Sequence, residues 1–428
     1  MVASSMPQTS TGRPASGCSS AVDSAISTSG SEEDLIIDIA PQGDIVLIIE
    51  HEFATSSKHT ATFRVSSSIR ENSKYFDRLL QPGRFGEGEG ISAQHARLRE
   101  QYKSMADVPA EELPIVRVQD VGRISTIKSL SSLCTDFLDI LHGRELQQPP
   151  PPVANLANLA IVADRFDALD AVRSYVRRKK IMRAIDGKTT AKADNALSEE
   201  RARQRLLVAA MLDDERWMEK YSARLIMKGW VGREVEVTEP LWWDLPSRLE
   251  EELAHRRDCI LETVQSLQTF FLAQYTSRER QCKLGYDSSP QCDSFQLGEM
   301  VRFFSKVGML RLQGGIFASC ELPEPFTGDI AILLDKLRQA PEYQIDRFHN
   351  HCGIRTKILP LLDLLSEAIL HVGTCAECWA NDRENYAWMD AKRPILWRRG
   401  AFNLRTQDHR KRHACIKDMC TATERDWS

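Results

Sequence analysis

The 428-residue sequence holds no apolar run near the roughly 18 residues needed to span a bilayer. The longest candidate, Ile358–Val372, is interrupted by Asp363 and Glu367. The Ser/Thr/Ala/Gly-rich first thirty residues carry no apolar core of the kind a secretory leader needs. Neither a GxxxxGK[ST] phosphate loop nor a GxGxxG between strand and helix occurs, and the glycine-rich Phe85–Gly90 alternates with glutamates that would repel phosphate. Positive charge is not in excess. Net charge is −4, which removes any global reason to expect nucleic acid or an anionic membrane. No internal repeat is visible. The expectation is a water-soluble protein of cytoplasm or nucleus with no catalytic motif.

What is present divides along the chain. Residues 1–33 offer too few apolar side chains to offset the entropy of ordering and read as a disordered tail. Ile45–Ile49 is a continuous apolar run introduced by Gly43–Asp44, the pattern of a strand buried on both faces. Phe63 and Val65 alternate with Thr62 and Arg64, and Ser66–Ser68 supply hydroxyls suited to capping a following helix. That helix carries Ile69, Tyr75, Phe76, Leu79 and Leu80 and stops at Pro82–Gly83. Residues 84–112 are a charged excursion expected as surface loop with an exposed helix, after which Pro114–Val118 returns to strand alternation. The period over Ile124–Leu141 predicts a helix ending at Gly143, and further helical segments run through Leu156–Val176. A basic, polar linker is expected over 183–200, a helical domain over 201–372, and an irregular Trp-, Arg- and Lys-rich tail over 373–428.

The order strand, strand, helix, strand, helices is that of the BTB/POZ domain, and five short stretches resemble its motifs. Asp44-Ile45-Val46-Leu47 is similar to the family's opening strand, and Phe63-Arg64-Val65 to its second strand. Ser73-Lys74-Tyr75-Phe76 resembles its "SPYF" helix, Leu138–Gly143 its "YIYTG" helix end, and Ala163–Phe166 its "AADKY/F" segment. The match covers residues 34–182 with an insertion at 84–112. The region beyond, with EPLWWDLPSRLEEEL and HCGIRTKILPLLD, resembles the helical extension of uncharacterised fungal BTB proteins. The resemblance implies an α+β fold: a small mixed sheet capped by helices, followed by a mainly α-helical C-terminal domain. It implies a non-enzymatic protein-interaction module, a homodimer or an adaptor, with cullin scaffolds of ubiquitin ligases among the partners such domains take. The dimer surface it implies comprises Leu35, Ile37, Ile39, Ile69, Tyr75, Phe76 and Leu79. Neither kelch repeats nor C2H2 fingers follow the domain.

Of eleven cysteines, Cys18 and Cys134 stand alone, whereas eight, from Cys282 to Cys420, crowd toward the C-terminal third. His349-x-x-Cys352 and Cys375-x-x-Cys378, separated by 22 residues, form two knuckles at a spacing that recurs in structural zinc sites. In each, two intervening residues let both side chains turn to one ion. The expected cofactor is therefore a structural zinc on His349, Cys352, Cys375 and Cys378, with His351 as an alternative to His349; the competing reading is solvated histidines and buried apolar thiols. Cys282 and Cys292 read as buried thiols rather than as a second site with Cys320. Arg177–Lys180 and Arg410–His413 are short basic runs; the rival function, a nuclear regulator touching nucleic acid, rests on them. A thiol-dependent enzyme would require a reactive Cys352.

Overall fold

A computed structural model describes residues 36–52, 58–125, 127, 129–146, 150–285, 287–309, 326–349, 351–401 and 408–428. Residues 1–33, expected as a tail, and Leu35 and Cys320, named above, lie outside them.

The apolar run after Asp44 becomes β2 (Ile45–Glu52), preceded by the short β1 (Ile36–Asp38) and followed by β3 (Lys58–Val65). β2 and β3 are antiparallel, with Leu47 opposite Phe63. β4 (Ile115–Gln119) lies parallel to β2 and β1 parallel to β3, giving the mixed order β1-β3-β2-β4. Ile45, Leu47, Ile49, Phe63 and Val65 are fully buried against helices. Asp44 opens the sheet by accepting the Ser67 N–H at 2.6 Å and the Ser67 hydroxyl at 2.7 Å, which fixes the chain as it leaves β3. Ser66 accepts from Ser68 N–H and caps a 3-10 turn over Ser67–Glu71. A second cap, Ser73, starts α1 (Lys74–Leu80) by accepting from Phe76 N–H.

The charged excursion holds α2 (Gly86–Gln101), whose Leu98 joins Val108, Leu113 and Val46 in a small second core beneath the sheet. The buried Arg64 guanidinium fastens this layer, donating to the Gly43 and Val108 carbonyls at 3.1 and 3.0 Å. α3 begins only at Leu130 (Leu130–Leu141) and not at Ile124, because Ser129 caps it and Ser125 is held outside by Asn158. α4 (Val153–Arg165) and α5 (Leu169–Arg178) complete the cover of the sheet.

Residues 183–200, expected as a linker, carry parts of α6 (Ile181–Lys188) and all of α7 (Ala191–Asn195), which bury Ile185 and Asp194. Next come α8 (Glu199–Leu212), α9 (Glu215–Lys228) and the 28-residue α10 (Leu249–Thr276). Gly229 ends α9 with φ +78°, and a Cβ there would run into the Thr327 carbonyl. The Arg203 guanidinium, wholly buried, binds α8 to α10 through a two-pronged contact with Glu250 at 2.8 and 2.9 Å. Trp242 is buried as an anchor just before α10. α11 (Ser289–Val307), α12 (Ile330–Arg338) and α13 (Ile354–Ile369) follow.

The tail expected to be irregular is built of α14 (Ala376–Asn381), α15 (Arg383–Tyr386), β5 (Leu396–Arg398), α16 (His409–Thr421) and β6 (Glu424–Asp426). β5 pairs with β6, and Trp388, Trp397 and Trp427 are buried. One apolar core runs from the sheet through α10 to α16. None of the helices, among the described residues, is long and apolar enough to cross a membrane.

His142, at the end of α3, makes the N-terminal region pH-sensitive. Its Nε2 accepts the Ser66 N–H at 3.1 Å, and its Nδ1 donates to the Leu138 carbonyl at 2.8 Å, so the ring must be neutral. Burial lowers its pKa below the ordinary 6.5; Arg144 adds to this while the Leu138 carbonyl opposes it. The unfolded chain therefore takes up a proton that the folded chain refuses. Stability is full above about pH 6.5 and falls as pH drops toward the folded-state value. Urea midpoints measured between about pH 7.5 and 5 should decline, and His142→Gln should flatten that decline.

Candidate metal centres

The four residues expected to share one ion are divided between two clusters. In the first, Cys375 and Cys378 meet His409 and His413, with all four donor atoms within 4.8 Å of one another. Cys375 is the cap residue of α14 and Cys378 lies in its first turn, which turns both sulfurs to one side. His409 and His413 are one helical turn apart at the start of α16, on one face of it. Cys378 Sγ stands 3.6 Å from His413 Nδ1. A tetrahedral ion with Zn–S about 2.3 Å and Zn–N about 2.0 Å would set sulfur and nitrogen about 3.5 Å apart, so the observed spacing fits.

The surroundings suit a cation. Nε2 of His409 is buried without a hydrogen-bond partner and stands 3.5 Å from the Glu377 carboxylate. Burial, followed by the charges of His409, Arg256, His371 and Arg412, lowers His413 to about 4, which keeps its imidazole in the neutral, ligating form. Burial, then Cys375 and Glu377, pushes the Cys378 thiol up to about 12, so its thiolate requires a cation beside it.

No family model, curated protein or solved structure matches this chain. Its chemistry has to be read from its own residues.

In the second cluster, Cys282, Cys292 and His349 bring their donor atoms within 4.8 Å, and all three are buried. Cys352 Sγ lies 3.9 Å from Cys282 Sγ. His351 does not join them: it is exposed, in a turn with φ +65°. The expected single site on His349, Cys352, Cys375 and Cys378 is thus corrected, because α13 holds its two knuckles at opposite ends and each finds nearer partners. His413 closes the basic run Arg410–His413 and His409 stands just before it; their i, i+4 spacing is the one sequence signal that marks them as a pair. Cys292 is brought to Cys282 by the first turn of α11.

The other expected site residues are also placed. Ile39, Ile69 and Phe76 are buried in this chain's own core and offer no surface: Ile39 just after β1, Ile69 in the 3-10 turn Ser67–Glu71, and Phe76 on α1, where its ring stacks on Phe166. Ile37, Tyr75 and Leu79 remain half-buried. The basic runs are engaged with acids: Arg177 with Asp213, Lys179 with Glu145, Arg410 with Glu377, and Lys411 with Asp408. Burial, and the neighbouring Cys282, raise the Cys352 thiol, the opposite of what a nucleophile needs.

Proposed function

We propose that this chain is a non-enzymatic protein-interaction scaffold. Its N-terminal part is a BTB/POZ-type dimerisation or adaptor unit, and a structural zinc on Cys375, Cys378, His409 and His413 staples its C-terminal part. The observation that supports the first half is the sheet: an antiparallel β2–β3 hairpin with β4 returning parallel beside β2, covered by α1, α3, α4 and α5. This is the arrangement the resemblance implies. The second half is supported by four convergent ligands, which leave a tetrahedral ion no open position for water or substrate. Such an ion folds a chain; it does not catalyse.

With Ile69 and Phe76 committed to the core, the dimer surface narrows to Ile37, Tyr75, Leu79 and the polar residues around them. A self-complementary patch of this kind suits a two-fold axis. Static light scattering on the full chain should give twice the chain mass. Leu79→Ser, which removes half-buried apolar area, should weaken association about tenfold, equivalent to about 1.4 kcal/mol. A chain that stays monomeric at high concentration would count against dimerisation and leave the adaptor reading, with a cullin-class partner, as the form to be tested by binding.

A further inference from the structure

We infer that Cys282, Cys292, Cys352 and His349 form a second metal centre, a three-thiolate, one-imidazole site for a zinc-class ion, separate from the one on α14 and α16. Cys282 lies in the connection after α10, Cys292 in the first turn of α11, and His349 and Cys352 just before α13. The ion would join three segments that are distant in sequence.

Spacing supports it. Two thiolates about 2.3 Å from one tetrahedral ion stand about 3.8 Å apart, and the Cys282 and Cys352 sulfurs are 3.9 Å apart. Cys282 is 5% exposed, and Cys292 and His349 are 0% exposed. Two buried thiols and a buried imidazole with donor atoms within 4.8 Å of one another, and the half-buried Cys352 thiol beside Cys282, are a soft, nitrogen-containing donor set, which selects zinc over magnesium or calcium.

The outer shell is arranged as metal sites require. His349 Nδ1 donates to the Asp346 carboxylate at 2.9 Å, which fixes the tautomer and makes Nε2 the ring's ligating atom. The Ser288 hydroxyl lies 3.4 Å from that Nε2. Cys282 is held from both sides: its N–H donates to Asp293 at 2.8 Å, and the Ser289 hydroxyl approaches its sulfur at 3.3 Å. Tyr275 on α10 donates to the Cys352 carbonyl at 2.9 Å, and Lys357 Nζ donates to the Tyr275 hydroxyl at 3.2 Å. The two centres share no ligand, so this one stands independently of the scaffold reading and of the first zinc.

Native mass spectrometry of the full chain, purified with zinc and again with cobalt(II), tests the inference. Two ions per chain are expected, falling to one in His349→Gln/Cys352→Ser. The remaining ion in that variant should show the weaker charge-transfer absorption of two cobalt–thiolate bonds. The ion left in Cys378→Ala/His413→Ala should show that of three. A single wild-type ion that His349→Gln/Cys352→Ser leaves in place overturns the inference, and so does a count of two that this variant leaves intact; a single ion that it removes supports the second centre and counts against the first. Should either variant fail to fold, the wild-type cobalt spectrum decides. Absorption of five thiolate bonds spread over two ions supports the second centre; absorption of two bonds overturns it and leaves the first centre standing.

Discussion

Replacing Glu252 with alanine is expected to cost about 3–5 kcal/mol of stability, the usual effect of stranding a buried charge. Glu252 and Arg256 are each 1% exposed, one turn apart on α10, with Arg256 Nε donating to the carboxylate at 2.7 Å. The pair does more than neutralise itself. Arg256 Nη1 donates to the Val372 and Gly373 carbonyls at 3.0 and 3.1 Å, and its guanidinium lies 4.8 and 4.9 Å from the Tyr386 and Trp388 ring centres. Glu252 accepts the backbone N–H groups of Trp388 and Met389 at 2.9 and 3.2 Å. The tail is therefore tied to α10 on both sides of this pair. One guanidinium nitrogen, Nη2, is already buried without a partner, so the arginine has no spare bonds with which to absorb the loss. Urea midpoints at constant slope measure the effect. Glu252→Ala/Arg256→Met should be less destabilised than Glu252→Ala alone, because the second change removes the stranded charge. A loss under about 1 kcal/mol, or an additive double variant, would show that the pair is not the tie.

Removing the first metal centre should have an effect of similar size, confined to the C-terminal part. An ion held at a thousandfold excess over its Kd contributes about 4 kcal/mol, which chelation or Cys378→Ala would withdraw. α14 and α16 would lose their cross-link, and Trp388, Trp397 and Trp427, now buried, would become accessible. Limited proteolysis should then cut beyond Gly373 first, with a red shift in tryptophan emission. Unchanged proteolysis after verified ion loss would mean that α16 is held by packing alone, through Ile416, Met419 and Cys420.

How much of this was legible in the sequence depended on the range of the signal. β2 and β3 follow from a local apolar run and a local alternation, and α10 from apolar residues three and four apart, so each could be read in a window of a few turns. α7 could not, because its burial consists largely of one aspartate, Asp194, held by Lys220 and Tyr221 from α9. The tail was opaque for a related reason. β5 and β6 are three residues each, too short for a period, and Trp397 of β5 packs on Trp427, just past β6, across 31 positions of chain counted inclusively. The apolar helix after Ser66 showed which residues are oily but not that Ile69 and Phe76 face inward. Metal ligands show the limit most clearly. Knuckle spacing exposed Cys375 and Cys378, whereas their histidines come 31 and 35 positions after Cys378, and only the packing of α16 beside α14 brings them together.

X-ray absorption at the zinc edge of the purified full chain tests the central claim most directly. A first shell of sulfur at about 2.3 Å and nitrogen at about 2.0 Å, four-coordinate and without a water oxygen, is the predicted result for a closed structural centre. A chain without bound zinc, or a shell completed by oxygen at an open position, would contradict it.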